Sequence, residues 1–213
     1  KGLLDEDNSK QYERSFEVIG IRNGWAGITY ADPSKGDLPE DSFMPLCEAK
    51  VRTWDRQGGT NLGSSRTNPF KSEDLAEKCI NNIKAFGFEG LIAIGGEDTL
   101  GVAEKLHARG QNVVCIPKTI DKDLCGTDYS LGFATSVEVI KEEIGRLRTT
   151  AGSHNRIFVV ETMGRHAGHL SLHGGIAGGA CMILIPEYDF ELDKVFEILK
   201  ARKDSGARYD IVV

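Results

Sequence analysis

Short apolar runs alternate with amphipathic stretches along most of this chain. Runs rich in β-branched residues at 17–21, 91–94, 113–116, 157–160 and 182–185 have strand length. Their uniform apolarity predicts burial on both faces. Between them, apolar positions recur at helical spacing over 72–86, 99–109, 134–150, 167–177 and 192–203. Ser72 is placed to cap the first of these helices with Glu73 and Asp74 in its first turn, and Gly87 and Gly110 stand where helices end. The alternation predicts an α/β doubly wound fold of mostly parallel sheets with flanking helices, in two Rossmann-like lobes with right-handed crossovers. Residues 32–69, with several Pro and Gly, read as an irregular loop over the edge of the sheet. A division near Gly132 would give segments 1–132 and 133–213.

Bulk composition narrows the function without naming it. The formal charge of -6 and pI near 5.4 leave no basic footprint, which argues against nucleic acid and anionic membranes as partners. Five cysteines, at 47, 79, 115, 125 and 181, show neither CxxC pairs nor zinc-like spacing, so reduced thiols are expected, with Cys115 and Cys181 in the core. No apolar run reaches the roughly 18 to 20 residues of a membrane span, and no signal peptide is recognisable, so a cytoplasmic location is expected. The chain starts at Lys1 and stops in an apolar run at Val213, which suggests a fragment.

Three strand-to-turn junctions carry candidate chemistry. In the first, Gly95 and Gly96 allow a sharp turn with backbone N–H groups near an anion, and Thr99 opens the next helix with a hydroxyl. Glu97 there suits Mg2+, directly or through water. An ordinary strand-to-helix turn is the alternative. In the second, Lys118-Thr119-Ile120-Asp121-Lys122-Asp123, alternation sets Asp121 and Asp123 on one side of an extended segment. One carboxylate could take a hydroxyl proton while the other holds metal. The alternative is a solvated charged loop. In the third, Met163-Gly164-Arg165 precedes a helix rich in small residues, and Arg165 could grip a phosphate or sugar hydroxyls. The glycines at 168, 174, 175, 178 and 179 suggest that this helix packs tightly or faces a ligand. His154, His166, His169 and His173 lack a metal-ligand pattern and read as surface or packing residues. Arg66 and Arg156 could converge on a phosphate or remain on the surface, and Arg146 and Arg148 read as solvent-face partners of Glu142 and Glu143.

The three junctions together, in this order and spacing, resemble the 6-phosphofructokinase family, as do residues 58–66, 126–133, 153–156 and 176–179. The resemblance covers most of the chain. It implies phosphoryl transfer to the 1-hydroxyl of fructose 6-phosphate. On the matching positions Asp121 would be the general base, Asp123 and Glu97 would act through Mg2+, and Thr119 would touch the transferred group. Arg66 would bridge donor and acceptor, with Gly96, Asp98, Thr99 and Lys118 also on the donor. Met163, Gly164 and Arg165 would hold the sugar phosphate, and Arg156 would reach a neighbouring subunit, which implies a homo-oligomer, dimer or tetramer. Segment 1–132 would then be the donor lobe, lacking its first strand, and 133–213 part of the fructose 6-phosphate lobe.

The family's ATP users carry Gly where Asp98 and Lys118 stand here, so the resemblance favours pyrophosphate as donor. A carboxylate at 98 would repel an α-phosphate and block a nucleoside, and Lys118 adds a cation for the smaller anion. Lys122 replaces the family's usual Asn and could lower the pKa of Asp121 or point to solvent. The family's first strand and Gly-rich donor loop are expected before Lys1, and further sugar-phosphate residues after Val213. An ATP-dependent kinase and a non-catalytic phosphosugar-binding fragment stand as alternatives. An NAD-binding Rossmann enzyme is disfavoured, because no GxGxxG opens the first helix.

Overall fold

The computed structural model describes residues 16–213, so the beginning of the expected first segment, residues 1–15, lies outside the described residues. In chain order the elements are β1 (Ile19–Ile21), α1 (Trp25–Tyr30), β2 (Phe43–Pro45), α2 (Glu48–Val51), α3 (Glu73–Ala85), β3 (Leu91–Gly95), α4 (Glu97–Ala108) and β4 (Val113–Thr119). They continue with β5 (Leu131–Gly132), α5 (Phe133–His154), β6 (Ile157–Val159), α6 (His169–Gly178), α7 (Leu192–Asp204) and β7 (Asp210–Val212). Two compact units result: residues up to Ala93 with Asp98–Cys115, and Ile94–Glu97 with Ile116–Val213. The units part within β3 and β4, whereas the sequence suggested a division near Gly132.

In the first unit β1 pairs antiparallel with β2, so residues 32–69 are more ordered than a plain loop. The core joins Ile28, Phe43, Cys79, Ile83, Leu91, Val102 and Leu106. Phe43 meets Phe86 and Phe88 edge-on, with centroids 4.7 and 5.5 Å away. Helix α3 starts as the sequence indicates: the Ser72 hydroxyl accepts from Leu75 N at 3.4 Å, and Gly87 and Gly110 sit at φ +68° and +82° just past two helix ends. From its buried face Asn82 donates Nδ2–H to the carbonyls of Ile28, Thr29 and Ala31 at 2.8, 3.3 and 3.0 Å. Those carbonyls end α1, where the last turn of a helix has no further N–H groups of its own to offer. Leaving such buried groups without a donor costs about 1–3 kcal/mol.

In the second unit β4 pairs parallel with β5, and β6 with β7. The run 182–185, expected as a strand, lies parallel to β7: Cys181 and Leu184 donate backbone N–H to the carbonyls of Ile211 and Val213 at 2.9 and 2.8 Å, and the Met182 carbonyl accepts from Val213 N at 3.1 Å. Helix α6 lies close against α5 because its glycines leave room: a Cβ on Gly174 would stand 2.6 Å from Ile140 Cγ2, and one on Gly178 2.5 Å from Ile144 Cδ1. Of the two readings of this glycine-rich helix, tight packing is the one observed. Arg148 is not a solvent-face partner of Glu142 or Glu143; its Nη2 donates to the carbonyls of Gly178 and Gly179 at the end of α6. Arg146 does pair with Glu143, at 2.9 Å.

In the sheet β3-β4-β5 Leu91 and Ala93 are buried, and Ile92 and Ile94 are about half exposed, at 50% and 56%. One burial expectation changes. All five cysteines are free, but Cys115 is exposed and Cys181 half-buried, while Cys79 is the one in the core. Burial raises the Cys181 thiol pKa, and a hydrogen bond with Asp210 adds to the shift.

Candidate active site

The turn after β4 is built around Thr119. Its hydroxyl accepts the backbone N–H of Asp121 at 3.2 Å, and its carbonyl accepts from the Ser130 hydroxyl at 2.7 Å. These bonds close residues 120–130 back on the strand, where Lys118 lies opposite Leu131 and Thr119 opposite Gly132 in parallel register. The segment is not extended throughout. Lys122 takes a left-handed backbone, φ +56°, which breaks the alternation expected to set Asp121 and Asp123 on one side. For a lysine this conformation costs roughly 1–2 kcal/mol. Asp121 is half-buried and Asp123 exposed. Among the described residues, Asp121 Oδ1 is the one carboxylate oxygen that is buried with no hydrogen-bond partner.

Gly96, Lys118, Thr119, Ile120, Leu131 and Gly132 line an open cavity of about 460 Å³. Gly96 does not adopt a left-handed backbone; its part is close approach, since a Cβ there would lie 3.5 Å from Thr119 Cβ. Helix α4 begins at Glu97, two residues before the expected start. Glu97 and Asp98 are exposed in its first turn, where carboxylates suit the positive end of the helix, and Thr99 is half-buried behind them. Arg66 is exposed in the first unit.

The third junction is held by two ties. Thr162 and Ser171 share a hydroxyl hydrogen bond of 2.6 Å, and Glu187 accepts the Gly168 N–H at 2.7 Å. That N–H holds the Glu187 carboxyl below its ordinary range. Gly164 is buried at φ +142°, and a Cβ there would run into the Ala167 carbonyl, so no other residue fits without rearrangement. Arg165 follows in left-handed conformation at φ +55°, exposed, and Met163 is 72% exposed. Arg156, after α5, is also exposed.

The structure thus joins Gly96, Lys118 and Thr119 at one cavity and ties Asp121 to Thr119. The sequence reading gave no individual role to Ser130, whose hydroxyl meets the Thr119 carbonyl, or to Tyr129 and Phe133, whose rings lie 5.0 and 5.1 Å from Lys122 Nζ. No local periodicity marks them, because a loop brings them back to this turn.

A profile of the family described as phosphofructokinase matches residues 8–213. The chain is 50% identical to a pyrophosphate-fructose 6-phosphate 1-phosphotransferase of Dictyoglomus thermophilum, over 92% of this chain and 54% of the relative. It is 41% identical to an ATP-dependent 6-phosphofructokinase of Chloroflexus aurantiacus, over 93% of this chain and 55% of the relative. Phosphofructokinase from Saccharomyces cerevisiae superposes with a TM-score of 0.79 at 27% identity, covering 100% of this chain and 30% of the yeast chain. The chain is of the α/β class, with a glycine-containing strand-to-helix turn and an acidic turn after the next strand. Within that class, the chain belongs to the phosphofructokinase family. It spans about half the length of the curated relatives it matches.

Proposed function

We propose that this chain carries catalytic residues of a pyrophosphate-dependent 6-phosphofructokinase, which converts fructose 6-phosphate to fructose 1,6-bisphosphate. The observation that carries the reading is the turn after β4: a buried, unpartnered oxygen on Asp121, tied through its backbone to Thr119, which shares a cavity with Lys118. Asp121 accepts the proton of the 1-hydroxyl, the freed oxygen attacks the nearer phosphorus, the bridging P–O bond breaks and inorganic phosphate leaves. Thr119 touches the transferred group, and Lys118 offsets charge on the donor. Arg66, Gly96, Asp98 and Thr99 serve the donor. Met163, Gly164 and Arg165 hold the sugar phosphate, and Arg156 serves a neighbouring copy in a homo-oligomer acting in the cytoplasm. Residues 1–132 and 133–213 keep the donor-lobe and sugar-phosphate-lobe assignments of the sequence reading.

Among the described residues no group of three or more His, Cys, Asp and Glu side chains is set to enclose a metal. Mg2+ keeps several waters and takes one or two carboxylates together with phosphate oxygens. The exposed carboxylates of Glu97 and Asp123 would hold it, and when bound it supplies charge neutralisation at the phosphates.

The donor assignment rests on Asp98 and Lys118, and the name of the Dictyoglomus relative supports it. The natural gene product, assayed with each donor, should turn over pyrophosphate and not ATP. The double variant Asp98→Gly, Lys118→Gly should move the preference toward ATP by at least about tenfold. Turnover of the unsubstituted protein with ATP alone would reject pyrophosphate.

A further inference from the structure

Lys122 is the member of the acidic turn without a role so far. Its left-handed backbone, φ +56°, is one that asparagine takes readily and lysine takes only where its surroundings enforce it. The side chain turns to two aromatic rings: Nζ lies 5.0 Å from the ring centroid of Tyr129 and 5.1 Å from that of Phe133. Among the described residues no ion pair joins it to Asp121, Asp123 or any other carboxylate. The two rings differ in their anchoring. Phe133, 3% exposed, opens α5 and is met edge-on by His173 of α6 at 5.3 Å, while Tyr129 is 69% exposed. Tyr129 stands on the returning leg of the loop, which also brings the Ser130 hydroxyl to the Thr119 carbonyl, and Phe133 follows β5 at the start of α5. The turn is therefore fastened on both sides of Asp121, by Ser130 at residue 119 and by the rings at residue 122.

We propose that Lys122 is a positioning residue: clasped between Tyr129 and Phe133, its ammonium enforces the left-handed turn that sets the Asp121 carboxylate, and the clasp keeps it from pairing with that carboxylate. The inference rests on the reading of Asp121 as the base. It explains how a lysine serves where the resembled family has asparagine: the rings enforce the backbone conformation that asparagine would adopt unaided.

The test uses the natural gene product, assayed for phosphoryl transfer from pyrophosphate to fructose 6-phosphate. Lys122→Met should lower kcat roughly fivefold with KM for the sugar phosphate unchanged. Lys122→Arg should restore kcat, because a guanidinium stacks on the same rings. Tyr129→Leu, at an exposed position, should reproduce the loss, and Lys122→Met with Tyr129→Leu should lose no more than either alone. In a Lys122→Asn background, Tyr129→Leu should be silent. Additive losses, unchanged kcat in both single variants, or a raised KM with kcat intact would overturn the clasp. Asp121→Asn separates the two levels: retained turnover refutes Asp121 as base, whereas a dead Asp121→Asn beside additive losses refutes only the role of Lys122.

Discussion

Asn82 and Asp121 are polar side chains with atoms drawn out of water, and their two regions treat those atoms in opposite ways. In the first unit the Asn82 amide gives its hydrogens to three carbonyls at the end of α1. In the second, Asp121 keeps a buried carboxylate oxygen without a partner, although its own backbone N–H is taken by Thr119. An unpaired buried polar atom costs about 1–3 kcal/mol. Among the described residues Arg22 Nε, Trp25 Nε1, Thr29 Oγ1 and Arg148 Nε are also unpaired, and Asp121 Oδ1 is the one carboxylate oxygen of the set. The Asn82 amide is satisfied and serves stability. The turn around Asp121 holds an acceptor open, and its supports come from neighbours: Ser130 on the Thr119 carbonyl and two rings on Lys122.

The sharpest way to break this contrast is to neutralise the open acceptor. Asp121→Asn should reduce turnover about a thousandfold while Tm stays level or rises, since an amide is easier to bury than a carboxylate. A Tm loss as large as that of an Asn82 variant, measured by thermal denaturation beside steady-state kinetics, would erase the difference. Asn82→Ala should do the reverse, losing about 1–3 kcal/mol in denaturant unfolding with kcat preserved at low temperature.

Gly174→Ala asks whether the contrast belongs to sites or to whole units. The added Cβ meets Ile140, and unfolding should show a loss of about 1–3 kcal/mol. An unchanged midpoint would mean that the α5-α6 contact yields, and that the whole second unit is loosely packed. The smallest effect concerns Glu187, whose carboxyl is held below its ordinary 4.5 first by the Gly168 N–H. A pKa depressed in the folded state gives stabilisation that is full above the unfolded value and is lost as pH falls through the folded one. Glu187→Gln should therefore show a slightly lower Tm than the unsubstituted protein at neutral pH. The gap should close as pH falls below 4.5, and a gap constant with pH would show that the carboxylate charge is not what caps α6.

Much of the scaffold was legible because its causes are local. Ser72 caps α3 through a bond spanning three residues, and α3 to α7 followed from apolar spacing, while the short α1 and α2 were not foreseen. The acidic turn could be picked out, but not its shape: alternation implied an extended segment, and the left-handed Lys122 interrupts it. The run 182–185 was legible as extended backbone, but its partner was not: the carbonyls and N–H groups it meets belong to residues 211–213, about thirty positions later. Arg148 looked like half of an exposed helix pair, yet two carbonyls at the end of α6 offered better acceptors.

By itself, then, the sequence determined what depends on a few consecutive residues: the caps, the glycine-terminated helices, the residue types at each strand end and hence the family resemblance. Tertiary structure alone decided which distant atoms meet. Asn82 closes a joint with residues 51 to 54 positions earlier, Arg148 reaches carbonyls 30 and 31 positions later, and Lys122 turns to rings that a loop returns to it. The reason is physical: hydrogen bonds and cation-ring contacts act over a few ångströms in space, and only the folded path of the backbone brings such groups within that range.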